Sequence, residues 1–408
     1  MRILILSEAF PPETKSASTL FFELAESLAK GGHQVSVLTR MPRYNVAAGT
    51  NVKALPEKEI MSGVTVYRFQ TPPLARDIPF IRGFEHFLLG WLFFFGGLGL
   101  GEFDLILVYS PPLPLGVAGY WLGRIKSCPV VVNIQDLYPQ TVIDLGLLRN
   151  RFLIWVSRKM EHFIYKNSDT LTVHSEGNKQ YLIRSGAEPN KVAVVDNWVD
   201  TELIRPGDKN NDFSRKYCLA DKYVVSFAGV IGFGQGLEVV IEMAARLKEY
   251  QDILFVIVGD GVKKGELEAQ AKAQGGKNVL FVPTQPRDIY PQILHASDVC
   301  LVVLDKTLVT PVVPGKTLSI MAAGKPVLAS LPLSGDTPKI LSANNCGLAV
   351  EGGRADLLAE ALLKLYNNKP LAVEMGKNGR AAALKNFSRS ICVDKYDSLF
   401  KSLMIGRK

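Results

Sequence analysis

Cysteine is scarce in this 408-residue chain, and its five copies, Cys128, Cys218, Cys300, Cys346 and Cys392, are scattered. None forms a C-x-x-C pair, so neither a disulfide framework nor a thiolate zinc site is expected, and the pattern suits a reducing cytosol. Histidine is equally sparse. His33, His86, His162, His174 and His295 form no spaced ligand set, and no Asp-x-Asp pair occurs, so no metal site is indicated. No uninterrupted apolar run reaches the roughly 20 residues of a spanning helix. The N-terminal MRILILSEAF carries one basic residue and too short an apolar run for a signal-peptide core, and reads as a first buried strand. No basic segment interleaved with aromatics argues for nucleic acid.

What the chain does have is core-forming material, 47% hydrophobic and 21% charged, with a formal net charge of +8. That basic excess favours an anionic partner: nucleotide phosphates, an anionic membrane face or a polynucleotide. One apolar stretch, Phe87–Leu100, is about 14 residues long and holds four glycines, which weaken it as a helix. With Arg76 and Arg82 ahead of it, the region 84–100 is expected to contact a membrane face peripherally. A buried core segment is the open alternative. The expected location is cytoplasmic, with peripheral attachment to the inner face of the cell membrane.

Short β-branched runs alternate with amphipathic helices. RILILSEA is followed by Thr19–Lys30, whose Leu20, Leu24 and Leu28 fall at helical spacing, with Ser18 as the expected N-cap and Gly31-Gly32 as the stop. Near-continuous apolar strands alternating with helices imply a mostly parallel sheet covered on both faces. The alternation breaks at the polar segment around Pro206 and Asp208–Asp212, then restarts at Tyr223. The expectation is an α/β protein of two Rossmann-like, doubly wound domains facing a cleft, 1–203 and 204–388. A last helix, about 389–408, is expected to pack back on the first domain.

The first strand-to-helix loop, Phe10–Ser18, lacks G-x-G-x-x-G, so the dinucleotide fingerprint is missing; Lys15 and a helix N-terminus remain to attract an anion. In the second half, Gly232, Phe233, Gly234, Gln235 and Gly236 lie between a strand and a helix, where glycines let backbone approach a pyrophosphate. Gly259 and Gly261 repeat the theme, with Lys263 and Lys264 beyond. The most informative segment is Val313–Val327. Pro314 and Gly315 open a short helix whose first turn holds Lys316, followed by Thr317 and Ser319. A lysine there opposes the helix dipole unless a bound anion reverses the local field. Lys316 is therefore the candidate diphosphate ligand; a solvent-facing lysine is the alternative. Gln135 and Asp136, in QDLYP, lie at a strand end, and Asp136 is either a cleft carboxylate or a helix N-cap.

Taken in order, FPPE, GGHQVSVLT, QDLYP, TVHSEG, VVDNWVD, FAGVIGFGQGLE, VGDG, ASDVCLVVL, VPGKTLSIMAAGKPVLAS and MGKNGR span nearly the whole chain. The set resembles family 4 retaining glycosyltransferases of the GT-B fold, in particular the bacterial surface-polysaccharide branch of fucosamine and colanic-acid transferases. The resemblance implies that the second domain binds a nucleoside diphosphate sugar, UDP- ahead of GDP-linked. It implies that the first domain binds a lipid-linked or saccharide acceptor, and that no cofactor or metal is used. The chain departs from the pattern in several places. Pro311 and Ser319 stand where the family often has the E-x7-E carboxylates, with Asp336 or Glu351 as substitutes. Uncharged Val230 and Gln235 stand in the basic positions of the phosphate loop, and Gln135 replaces a common catalytic histidine. Lys316, Gln135 and Asp136 are thus expected at the reaction. Gly232 to Gly236, Gly259, Gly261, Gly315, Thr317, Ser319 and Asp336 are expected around the donor. The alternatives are a nucleotide-sugar 2-epimerase-like enzyme and a non-catalytic subunit of a transferase complex.

Overall fold

The computed structural model describes residues 1–43, 46–47, 49–72 and 79–405; Arg76, and the side chains of Arg82 and Phe84, lie outside the described set. The chain divides into two compact units, Met1–Asn197 with Ser390–Lys408, and Trp198–Arg389.

The first unit is built on β1 (Arg2–Leu6), β2 (Gln34–Arg40), β3 (Lys58–Met61), β4 (Val64–Phe69), β5 (Leu105–Ser110), β6 (Val130–Ile134), β7 (Thr170–Val173) and β8 (Val192–Val194). Its spatial order is β3-β4-β2-β1-β5-β6-β7-β8. Every pairing is parallel except β3 with β4. β5 and β6 are buried along their whole length, as a sheet covered on both faces requires. β3 is the antiparallel member. It is an edge strand returned by Ser62 and Gly63, both at positive φ (51° and 83°), the conformation of a tight hairpin turn.

The first helix runs Ser16–Lys30 and its N-cap is Lys15, not Ser18, which is buried within the helix. Gly31 closes it, as expected. The glycine-bearing apolar stretch is helical after all: Pro79–Leu98 is one helix. Its glycines are contact points rather than breaks. A Cβ on Gly90 would lie 2.7 Å from Pro114 Cβ, and one on Gly97 2.6 Å from Leu122 Cδ1. Small residues there let the helix press on helix Leu113–Ile125, which offsets their poor intrinsic propensity. Leu89 and Phe93 enter the core, while Phe87, Trp91 and Phe95 face outward. No helix among the described residues is long and apolar enough to cross a membrane.

The second unit carries β9 (Tyr223–Ala228), β10 (Ile253–Val258), β11 (Val279–Val282), β12 (Val299–Val303), β13 (Val327–Leu331) and β14 (Gly347–Glu351), in the order β11-β10-β9-β12-β13-β14 and wholly parallel. Its core is apolar, centred on Val225, Phe227, Phe255, Val299 and Leu301. The unit begins at Trp198, ahead of the expected start at Ile204. Residues 198–204 are held there because Val199 N donates to Phe387 O (2.9 Å) and Arg380 donates to Thr201 O and Ile204 O.

Helix Arg389–Ile405 joins the first unit. Asn133 donates to Tyr396 Oη (2.7 Å), Asp196 pairs with Lys395 (2.7 Å) and His33 with Asp397 (2.8 Å). Each sheet reverses its direction of winding once, between β1 and β5 and between β9 and β12. Ligands of open parallel sheets bind outside the carboxyl ends of strands at such switch points.

Candidate active site

In the second unit the loop after β9 and the loop after β12 meet at the switch point. Asp305 N donates to Gly234 O (3.0 Å), and a Cβ on Gly236 would lie 3.0 Å from Asp305 Cα. Gly236 has φ 59°, which admits glycine without strain. Phe233–Gln235 forms one turn of 3-10 helix capped by Gly232, and helix Glu238–Arg246 follows. The loop after β10 closes the other side. Gly229 N donates to Val258 O and Ile231 N to Asp260 O, both at 2.9 Å. A Cβ on Gly259 would stand 1.9 Å from Gly229 O, and one on Gly261 2.3 Å from Ile231 O. The geometry therefore gives Gly259 and Gly261 a reason that the pyrophosphate argument did not anticipate: they let two backbone loops touch.

Lys316 lies in the first turn of helix Gly315–Ala322, whose N-cap Pro314 offers no capping side chain. Its Nζ donates to Gln235 Oε1 (2.7 Å) and sits 3.8 Å above the centre of the Phe227 ring. A Cβ on Gly229 would come within 3.2 Å of that Nζ. The lysine has no carboxylate partner among the described residues. Loss of water around the ammonium pushes its pKa down to about 7. The ammonium is thus held by one amide oxygen and one ring face beside the glycine-bearing loop after β9.

The other donor-side candidates spread around this centre. Gly315 is exposed at the helix start. Thr317 is fully buried, its amide closing the first turn on Pro314 O (2.9 Å), so its side chain faces the core. Ser319 Oγ donates back to Gly315 O (3.4 Å). Asp336 is buried in the first turn of helix Asp336–Ala343 and pairs with Lys339 (3.1 Å). Phe233 is exposed, with Lys263 Nζ 5.5 Å from its ring centre. Lys263 and Lys264 are otherwise engaged with Glu266 and Asp260. They stand as ordinary helix-start ion pairs, whereas Lys316 has no carboxylate partner among the described residues. A cavity of about 800 Å³ opens at the amino-terminal edge of this sheet, near Tyr223, Asp298 and Lys325. Two of its charged groups are held locally, Lys209 by Asp298 (2.6 Å) and Lys325 by His295 O (2.9 Å).

In the first unit Gln135 follows β6 and forms a reciprocal amide pair with Asn197, both contacts at 2.9 Å. Asp136 is exposed beside it. Tyr109, at the end of β5, is buried, and burial together with the charges of Asp136 and Glu8 holds its hydroxyl well above the usual phenol range. Glu8, Tyr109, Gln135 and Asp136 thus collect at the carboxyl edge around β1, β5 and β6. Lys15, 3.4 Å from Glu13 and 3.9 Å from Glu8, is already paired. Sequence reasoning missed Phe227, Asn197, Tyr109 and Glu8 in these roles. Asn197 and Phe227 lie inside motifs singled out above, but nothing linear pairs them with Gln135 and Lys316.

Two α/β units, each built on a largely parallel sheet, with a lysine against the loop after β9 at the switch point of the second, are the frame against which known proteins can be compared. Residues 17–198 match the family described as Glycosyl transferase 4-like domain, and residues 209–382 match Glycosyl transferases group 1. The Escherichia coli K12 protein WcaI, assigned by name to colanic acid biosynthesis glycosyl transfer, is 28% identical over 79% of this chain and 82% of its own. An Escherichia coli enzyme named UDP-Gal:alpha-D-GlcNAc-diphosphoundecaprenol alpha-1,3-galactosyltransferase is 23% identical over 84% of this chain and 86% of its own. The crystal structure of Anabaena HepE with UDP-glucose superposes with a TM-score of 0.75 at 18% identity, over 98% of this chain and 100% of that one. The chain belongs to the family 4 glycosyltransferases of the GT-B fold.

Proposed function

We propose that the enzyme is a retaining transferase that moves a sugar from a UDP-linked donor to a lipid-linked or saccharide acceptor in surface polysaccharide biosynthesis. The observation that carries the reading is Lys316, an ammonium that has no carboxylate partner among the described residues and is held against Gln235 and Phe227 beside the switch-point loop after β9. The names of two relatives support it, one given as a colanic acid biosynthesis glycosyl transferase and one as a UDP-Gal:alpha-D-GlcNAc-diphosphoundecaprenol galactosyltransferase.

In this reading Lys316 and the amides around Gly232–Gly236 and Gly315 receive the diphosphate. The C1–O bond to it breaks as negative charge develops on the leaving oxygen, and preorganised dipoles stabilise that charge. The acceptor hydroxyl forms its bond to C1 on the same face, and its proton passes to a phosphate oxygen of the departing UDP. Orientation and charge stabilisation supply the catalysis, with the nucleotide sugar as substrate and no resident cofactor. Asp136 and the Gln135–Asn197 pair contact the reacting sugar or the acceptor. The membrane contact over 84–100 brings a lipid-linked acceptor within reach.

The test is a panel of UDP- and GDP-sugars with membrane lipid extract as acceptor, scored by nucleotide release and by the anomeric configuration of the product. Acceptor-dependent UDP release with retained configuration is the expected result. Release without acceptor points to an epimerase-like reaction, and calorimetry with no heat from either UDP or GDP points to a non-catalytic subunit.

A further inference from the structure

Three helices of the first unit leave an uncovered aromatic face. Trp91 and Phe95 of helix Pro79–Leu98 stack at 5.8 Å and are each about 60% exposed (62% and 60%). Trp121 of helix Leu113–Ile125 is 51% exposed. Phe152 and Trp155 of helix Arg151–Asn167 stack at 6.1 Å and are 67% and 57% exposed. Three of the chain's four tryptophans are therefore here, open to solvent, and the fourth, Trp198, is buried. The face is continuous. One apolar hollow of about 430 Å³ runs from Trp91 to Trp121, a second of about 310 Å³ runs from Trp121 to Trp155, and the two share Val117, Trp121 and Met160.

Charge decides what covers it. Among the described residues of the three helices the acids are Glu85 and Glu161, both buried. The cations Arg124, Arg151, Lys159 and Lys166 are exposed on the same helices, and Lys159 lines the second hollow with its Nζ 6.0 Å from the Trp155 ring centre. A second copy of the same face would set like charges against each other. A rim of lysine and arginine around exposed tryptophan matches an anionic lipid surface, where indole rings sit at the headgroup level and cations meet phosphates.

We propose that this three-helix face docks the protein on an anionic bilayer, with Trp91, Trp121 and Trp155 at the interface. The inference widens the contact expected over 84–100 to two further helices and rests on the lipid-linked reading of the acceptor for its purpose. The experiment sediments the full chain with vesicles of phosphatidylcholine containing phosphatidylglycerol and with vesicles of phosphatidylcholine alone. Binding to the anionic vesicles, weakened by salt, is expected, together with quenching of tryptophan emission by brominated lipid. The pairs Phe152→Ser with Trp155→Ser, and Arg151→Gln with Lys159→Gln, should each reduce partitioning about tenfold or more. UDP titration of the same proteins keeps the two readings apart. Wild-type UDP affinity with lost vesicle binding supports the docking face, and vesicle binding without any UDP binding leaves the docking face standing while the transferase reading falls. Absence of binding to anionic vesicles, unchanged partitioning in both double variants, or a dimer that those substitutions dissolve in place of vesicle binding, would overturn the proposal.

Discussion

Lys316 is where charge, geometry and burial disagree until a ligand is supplied. Desolvation favours the neutral amine, and the first turn of a helix disfavours a cation. In the proposed complex a diphosphate beside Lys316 would reverse both effects by restoring the proton. Lys316→Ala is expected to lower turnover about 100- to 1000-fold, as loss of a preorganised charge does at other leaving groups, with an unchanged circular dichroism spectrum. The pH dependence follows from the same residue. With the empty site titrating at about 7 and the bound site higher, UDP binding takes up a proton above neutrality. Affinity for UDP should be flat below that point and fall about tenfold per pH unit above it, until the bound lysine itself titrates. Calorimetry across pH in buffers of different ionisation enthalpy measures the proton uptake. Lys316→Ala should abolish it, and a pH-independent affinity in the wild type would remove the lysine from the nucleotide site.

At the scale of elements, the loops of the second unit are held by backbone contact rather than by side chains. Gly259 has φ 151° and faces the Gly229 carbonyl at a distance no Cβ tolerates. Gly259→Ala should therefore push the loop after β10 away from the loop after β9 and disturb the seat of Lys316. A loss of about 2–4 kcal/mol is expected, read as a fall of about 5–10 °C in melting temperature. UDP affinity should fall with it. The same logic, in a different element, turns the glycines of helix Pro79–Leu98 into a packing surface and leaves its aromatic residues on the outside.

At the scale of the molecule, the last helix decides how the first unit ends. Tyr396 and Phe400 are buried by it, and Asn133 and Thr172 of the central strands lie within hydrogen-bond reach of the Tyr396 hydroxyl (2.7 and 3.4 Å). Ending the chain after Arg389 exposes that apolar surface, worth about 1.5–3 kcal/mol for each large buried side chain, and strands a buried amide. Scanning calorimetry should show the first unit's transition lowered by several degrees or lost. The transition that UDP stabilises, belonging to the second unit, should stay where it was.

The sequence by itself determined the class of fold. Apolar strand runs such as RILILSEA, alternating with helices such as Thr19–Lys30, carry a periodicity that is a local property and survives into any packing. It also picked out Lys316, because a cation in a first helical turn conflicts with the dipole whatever surrounds it. Only the tertiary structure decided which atoms meet. That Gln235 holds the lysine, that Asn197 pairs with Gln135, and that Gly259 packs against the Gly229 carbonyl all depend on distances between segments far apart in the chain. The start of the second unit at Trp198 and the helix over Pro79–Leu98 were decided the same way. There the packing of Gly90 on Pro114 and the bonds from Arg380 outweigh the local signals of glycine and a polar linker, because burial and buried hydrogen bonds together exceed the fraction of a kcal/mol that separates local conformations.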